Sequence, residues 1–183
     1  SDLWWFMEYW LRRSSSICSC KRIMVYLLTG RINEGKTAGM ISLYEKRKTG
    51  DGLVTQKVFQ CGIFLGYDLV RLTDRTRLPF LRRTDAIPRN WDERFRYGRF
   101  SFSDSAFAYG ENLLLAFAED GTDPIYIDEI GPVELSGQGF CKPLQRVLEK
   151  KGELYLSVRE SCVSQVIRKF GITDYEIHKC NLG

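Results

Sequence analysis

Apolar and polar positions alternate in a regular order from residue 23 onward. Residues 23–28 form a continuous apolar run, the pattern of a strand buried on both faces of a parallel sheet. A glycine-flanked loop covers 30–35, and 36–47 reads as a helix. Gly50-Asp51-Gly52 is turn chemistry. Residues 53–59 and 63–72 read as two strands around Cys61-Gly62, a hairpin pattern. Residues 73–97 have weak periodicity, two prolines (Pro79 and Pro88) and many arginines, so they are expected to be a long irregular connection. Residues 99–102 form a short strand, and Asp104 is a suitable N-cap for a helix running to about 119. Residues 125–128 form a strand. Then 138–151, 154–158, 161–170 and 175–178 continue as helix, strand, helix, strand. Strands alternating with helices predict a three-layer α/β domain with a largely parallel central sheet. No internal repeat is present.

Length and composition narrow this further. At 183 residues the chain is the size of one domain and long enough to bury a core without staples. Apolar residues make up 44% and charged residues 27%, which excludes a wholly disordered or collagen-like chain. A pI of about 8.7 is below that of a dedicated nucleic-acid binder, so nucleic acid is not the expected partner, whereas small anions suit a mildly basic protein. Six cysteines lack any CxxC spacing and His178 is the single histidine, which argues against a zinc site and for free thiols in a reducing cytoplasm. No apolar run reaches the ~20 residues of a membrane span.

Residues 1–22 differ from the rest. Trp4, Trp5, Phe6, Tyr9 and Trp10 crowd together ahead of Arg12, Arg13, Lys21 and Arg22, with the apolar part before the positive charge, the reverse of a signal peptide. The segment reads as an aromatic, basic extension that docks as a short helix on the body or on a protein partner, with an interfacial membrane anchor as the alternative. Residues 23–183 then form the domain proper. Cys18 and Cys20 offer two metal ligands, too few for a site.

Chemistry concentrates in Gly30-Arg31-Ile32-Asn33-Glu34-Gly35-Lys36-Thr37, which satisfies G-x-x-x-x-G-K-[ST] at every fixed position. It follows an apolar strand and opens a helix, the context a phosphate loop requires. The glycines let backbone N–H groups turn inward on a phosphate, and the helix adds its positive end. Lys36 is expected to bridge the β- and γ-phosphates, and Thr37 to place its hydroxyl on Mg²⁺. The second element is Pro124-Ile125-Tyr126-Ile127-Asp128-Glu129, an apolar strand ending in two carboxylates. Asp128 would serve the Mg²⁺ ion, and Glu129 would orient and deprotonate a water that attacks the γ-phosphate.

Asp128-Glu129-Ile130-Gly131-Pro132-Val133-Glu134-Leu135 resembles the DEIGPMEL stretch of a P-loop nucleoside-triphosphatase family that includes thermophile and human cancer-related members. Thr29-Gly30-Arg31, Gly66-Tyr67-Asp68-Leu69-Val70, Gly98-Arg99-Phe100 with Phe102, and Leu156-Ser157-Val158-Arg159 are similar to further family stretches in the same order, covering about 23–179. The resemblance implies a RecA-like core, Mg²⁺ dependence, and hydrolysis of nucleoside triphosphates, ATP and GTP among them, with broad base tolerance. By motif, Gly30 to Thr37 bind phosphate, Asp128 serves the metal and Glu129 activates water. Two positions depart from the family loop. Ile32-Asn33-Glu34 precede Gly35, and Ala38 follows Thr37 where the family commonly has a second threonine. Glu34 facing inward would repel a phosphate ~4–6 Å away by roughly 3–4 kcal/mol at an effective dielectric of ~20. Ala38 removes a hydroxyl from the α-phosphate side.

Nine arginines fall between Arg71 and Arg99. They read as a salt-bridged surface among Asp74, Asp85, Asp92 and Glu93. They also read as phosphate contacts to nucleic acid with Trp91, Phe95 and Tyr97 stacking, or as a source of one or two groups reaching the triphosphate. For the last role Arg99 and Arg159 are the candidates, because both match family elements near predicted strand ends. His178 reads as a packing residue, and Lys179 with Asn181 as a base-contacting loop. The leading reading is a Mg²⁺-dependent nucleoside-triphosphatase. The competitors are a nucleotide or small-molecule kinase on the same scaffold, with 73–97 as a lid, and a non-catalytic nucleotide-binding module.

Overall fold

A computed structural model describes residues 22–30 and 35–180. The aromatic extension up to residue 21, the loop residues Arg31, Ile32, Asn33 and Glu34, and Asn181 lie outside the described residues. Nine strands form one sheet: β1 (Met24–Gly30), β2 (Asp51–Gln60), β3 (Ile63–Arg71), β4 (Arg77–Arg83), β5 (Glu93–Tyr97), β6 (Phe100–Ser103), β7 (Ile125–Ile130), β8 (Glu153–Arg159) and β9 (Tyr175–Lys179). The helices are α1 (Lys36–Arg47), α2 (Asp104–Asp120), α3 (Pro132–Leu135), α4 (Cys141–Leu148) and α5 (Val163–Phe170), with a 3₁₀ turn at Glu160–Cys162.

The strand order is β5-β6-β4-β3-β2-β7-β8-β1-β9. From β2 to β9 all neighbours are parallel, which gives the five-stranded parallel core expected of an α/β fold. From β2 to β5 all neighbours are antiparallel, so a four-stranded wing extends one edge. The seam is β2, with Gly52 in register with Tyr126. The β2–β3 turn is Cys61-Gly62, both residues left-handed (φ 49° and 76°), as a two-residue hairpin loop demands.

Side chains alternate across the sheet and divide the core in two. Leu28, Val54, Val70, Tyr126 and Tyr155 pack with Met40 under α1. Their neighbours Leu27, Leu53, Leu69, Ile127 and Leu156 pack on the other face with Phe107 and Leu114 of α2, Leu144 of α4 and Val166 of α5. This is the three-layer arrangement. Among the described residues no helix is long and apolar enough to cross a membrane.

Three expectations need correction. Residues 73–97 are not an irregular connection; they contain β4 and β5. Their arginines hid the pattern because they sit on the sheet held by acids: Arg77 and Arg82 both pair with Asp68, each at 2.6 Å. Pro79 is tolerated because the β3–β4 register slips between Tyr67 and Asp68 at that point. The N-cap of α2 is Ser103, whose hydroxyl accepts the Ala106 N–H at 3.3 Å, with Asp104 one position inside. The helix expected over 138–151 is α4 alone, preceded by the separate turn of α3.

Both sheet edges are short and charged. β5 and β9 have five residues each, and every residue of β9 is exposed. Glu93 pairs with Arg96 on β5, and Glu176 faces His178 on β9.

The seam leaves no room for a side chain at residue 52. A Cβ there would lie 2.2 Å from the Tyr126 carbonyl oxygen, a backbone atom that cannot step aside. Gly52→Ala is expected to cost about 3 kcal/mol, read as a lowered chemical-denaturation midpoint. A midpoint equal to wild type would show that the β2–β7 spacing is not fixed.

Candidate active site

Parallel strands place their C-terminal ends on one rim, and the functional residues gather there. β1 ends at Gly30, and α1 begins after Gly35, which is left-handed (φ 79°), a conformation glycine adopts without penalty. Lys36 is buried at 4% exposure and its Nζ donates to the Gly30 carbonyl at 3.4 Å, so the ammonium at the start of α1 folds back to the end of β1. β8 lies beside β1, with Arg159 in register with Gly30. β7 lies beyond β8 and carries Asp128 and Glu129 just before its last residue, Ile130.

Asp128 is the hub of the rim. It is buried at 5% exposure. Its Oδ2 accepts the Thr37 hydroxyl at 2.7 Å, the Thr55 N–H at 3.1 Å and the Thr55 hydroxyl at 3.0 Å. Its Oδ1 accepts the Ser157 hydroxyl. The same Ser157 oxygen accepts the Glu129 N–H at 2.8 Å. One carboxylate therefore ties together α1, β2, β7 and β8. Glu129 takes a left-handed backbone (φ 59°), a costly state for a residue with a Cβ, which turns it out of the strand direction.

A cavity of about 390 Å³ opens on this rim, lined by Lys36, Thr37, Thr55, Lys57, Glu129 and Arg159 among others. Glu129 reaches solvent through its mouth, yet the walls crowd it. That crowding, followed by the Asp128 charge, holds its carboxyl above the ordinary glutamate range, and Lys36, Arg159 and Lys57 pull the other way. Ala38 lines the same cavity and offers it no hydroxyl.

Thr37 and Asp128 suit a hard cation. A hydroxyl that donates its one proton to Asp128 keeps its lone pairs for a metal, and both residues supply oxygen. Among the described residues no three acidic, histidine or cysteine side chains cluster to hold a metal unaided. A cation shared with substrate phosphates needs no such cluster.

Gly35, Lys36, Thr37, Ala38, Glu129 and Arg159 thus line one space, with Gly30 in register beside Arg159 and Asp128 joined to it through the Thr37 hydroxyl while itself lining a neighbouring cavity. Arg99 stands apart, in the turn before β6, lining a second cavity on the far side of Glu129. Of the other arginines in that stretch, Arg71, Arg75, Arg77, Arg82, Arg83, Arg94 and Arg96 all form ion pairs, the salt-bridged reading. Among the described residues neither Arg99 nor Arg159 has a carboxylate within ion-pair distance. Sequence reasoning assigned no role to Thr55, Ser157, Lys57 or Tyr67. The first two carried a signal: a hydroxyl inside a buried apolar strand needs a polar partner.

Glu134 is a further residue without an assigned role. It is buried, its two oxygens accept the Gly131 N–H at 3.0 Å and the Phe140 N–H at 3.2 Å, and burial pushes its carboxyl up to about 7.

A phosphate loop on a parallel strand, with an acidic pair on a strand two places away, defines a P-loop nucleotide-binding α/β protein. The family model described as NTPase matches residues 25–182, and the chain belongs to this family of nucleoside-triphosphate hydrolases. It is 24% identical over 164 residues to the nucleoside-triphosphatase THEP1 of Archaeoglobus fulgidus, covering 86% of this chain and 92% of the relative. It is 28% identical over 128 residues to the protein of the same name from Methanopyrus kandleri, covering 67% and 66%. The solution structure of a human cancer-related nucleoside triphosphatase has the same fold, with a TM-score of 0.58 at 24% identity over 86% of this chain and 88% of that one.

Two outcomes follow from this site. Ser157→Ala leaves the part-buried Glu129 N–H without its acceptor and the buried Asp128 Oδ1 without its hydroxyl donor, and should cost about 1–3 kcal/mol of stability. It should also lower kcat for phosphate release with little change in nucleotide affinity; wild-type kcat would show that Ser157 does not position Glu129. Glu134 has a folded-state carboxyl at about 7 against an ordinary 4.5, so the folded chain binds more protons than the unfolded one between these values. Stability therefore falls as pH rises through that window, by roughly 3 kcal/mol in all. Glu134→Gln should flatten the loss of Tm between pH 5 and pH 8, and an equally steep loss would assign the titration elsewhere.

Proposed function

We propose that the chain hydrolyses nucleoside triphosphates, ATP and GTP with broad tolerance of the base, to diphosphate and phosphate, with Mg²⁺ as cofactor. The observation that carries this reading is the Thr37–Asp128 hydrogen bond, which joins the helix of the phosphate loop to the acidic strand end with Glu129 beside it. The amides that open α1, between Gly30 and Ala38, grip the phosphates, and Lys36 lies across the terminal pair. Thr37 and Asp128 would hold Mg²⁺, which supplies positive charge to the β- and γ-phosphate oxygens when bound. Glu129 orients a water and takes its proton as the oxygen attacks phosphorus; a carboxyl held above its usual range is a better base for that step. Arg159, level with Gly30 on the next strand, stabilises charge on the transferring group, and Arg99 approaches it from the wing side. Glu34 tunes affinity for the phosphates.

The division into an extension over 1–22 and a domain over 23–183 goes with this reading. A reducing cytoplasm suits the free thiols Cys61, Cys141, Cys162 and Cys180. A protein partner for the extension remains part of the proposal.

Phosphate release from ATP, GTP, CTP and UTP, with and without Mg²⁺, tests the reading. Glu129→Gln should lower kcat by about 10²–10⁴-fold while nucleotide still binds. The rate should fall as pH drops through the Glu129 titration, on a limb above the ordinary glutamate range, and Glu129→Gln should lack that limb. A variant as fast as wild type would refute water activation by Glu129.

A further inference from the structure

Two cavities of about 390 Å³ each meet at Glu129, and Thr55, Tyr67 and Arg159 line both beside it. The first lies against the start of α1. The second has an aromatic lining of Phe80, Phe100, Phe102, Phe107 and Phe140, with Phe80 and Phe140 stacked at 5.7 Å between ring centres. An ordered water needs about two to four polar partners, which rings do not supply. The polar groups at the junction therefore decide where a water stands beside Glu129. A water that attacks phosphorus is held in three directions. One lone pair faces phosphorus, one O–H points at the base, and the second O–H needs an acceptor of its own.

Three of the junction residues do not fill that last place. Glu129 is the base, Arg159 carries donors only, and the Thr55 hydroxyl is turned to Asp128, to which it donates at 3.0 Å. Tyr67 differs. Its phenol oxygen can accept one hydrogen bond while keeping its own proton, and among the described residues no group hydrogen-bonds to it. It lies within electrostatic reach of Glu129, Arg99, Asp128 and Arg159 together. Burial, and after it the Glu129 charge, lifts the phenol above its ordinary value against the pull of both arginines, so it stays protonated at neutral pH. The ring is also fixed in place. It meets Phe64 edge-on at 5.2 Å and Phe100 at 6.5 Å between ring centres. The Tyr67 carbonyl accepts the Arg82 guanidinium at 2.8 Å, where the β3–β4 register slips. A hydroxyl held this way needs no reordering when substrate arrives.

We propose that Tyr67 is a further catalytic residue, whose hydroxyl accepts a hydrogen bond from the attacking water and so holds the water oxygen toward the γ-phosphorus. As that oxygen bonds to phosphorus, one of its protons passes to Glu129. The other stays on the oxygen, hydrogen-bonded to Tyr67. The bond to the β–γ bridging oxygen breaks, and that oxygen leaves with the electron pair on the nucleoside diphosphate. Tyr67 neither gains nor loses a proton, and nothing is oxidised or reduced. The inference rests on Glu129 acting as the base, as proposed above.

The test measures phosphate release by the full chain with Mg²⁺ and ATP labelled at the γ-phosphate, for wild type, Tyr67→Phe, Glu129→Gln and the double variant. Tyr67→Phe keeps the ring and its packing and removes one oxygen. It should lower kcat by about tenfold, the worth of one hydrogen bond to a reacting group, with KM and Tm as in wild type. Residues that act on one water are not additive, so the same change in the Glu129→Gln background should cost less than about threefold. A merely structural loss would carry through to that background in full, so the double variant decides the matter even where Tm falls. A Tyr67→Phe kcat equal to wild type, a raised KM at unchanged kcat, or an undiminished loss in the Glu129→Gln background would each overturn the role of Tyr67 and leave Glu129 as the base. Glu129→Gln as fast as wild type would overturn both readings.

Discussion

The arrangement depends on one buried carboxylate. Asp128 accepts hydrogen bonds from a helix and two flanking strands, and each donor is a residue whose position decides the site. A buried charge is tolerable only when it is well partnered, so the chain cannot bury Asp128 without also bringing Thr37, Thr55 and Ser157 to it. Desolvation makes assembly of the phosphate loop against the acidic strand a condition of folding rather than a response to substrate. A cation arriving with a nucleotide would then meet ligands already in place, which spares the ordering entropy of assembling them.

Charge around the rim is graded. Two carboxylates sit side by side at the end of β7, and Lys36, Lys57 and Arg159 surround the outer one. The inner carboxylate is held by hydroxyls, the outer by cations at a distance. Two acids of like composition thereby take different duties, one fixed and one able to exchange a proton. The strained backbone at Glu129 belongs to the same device, because an extended residue at that point would continue the strand and turn its side chain away from the cavity.

Much of this was legible in the sequence. The phosphate loop announces itself through glycine spacing and a following helix, and Ile125 to Glu129 through an apolar run that ends in acid. These are local signals carried by residue type. Half of the wing was not legible: β3 and β6 are predicted as strands, but in β4 and β5 Arg77, Arg82 and Arg94 break the alternation that marks a strand, and their acid partners lie on other elements. Ser157 and Thr55 were visible as misplaced hydroxyls, but their common partner is a contact across the sheet that no spacing encodes. The aromatic cavity was hidden for the same reason: its rings come from β4, β6, α2 and the loop before α4, and each looks like ordinary core when read alone.

The short, charged margins of the sheet bear on how the molecule behaves in company. An unpaired strand edge is a template on which another chain can lay a strand, and wide sheets are exposed to that hazard at both ends. Here β5 and β9 offer only five residues apiece, interrupted by Glu93, Arg94, Arg96, Glu176 and Lys179. An incoming strand would bury those charges for few main-chain bonds. The nine-stranded sheet can therefore stay finite at high concentration, and the protein carries its own guard against fibrous growth.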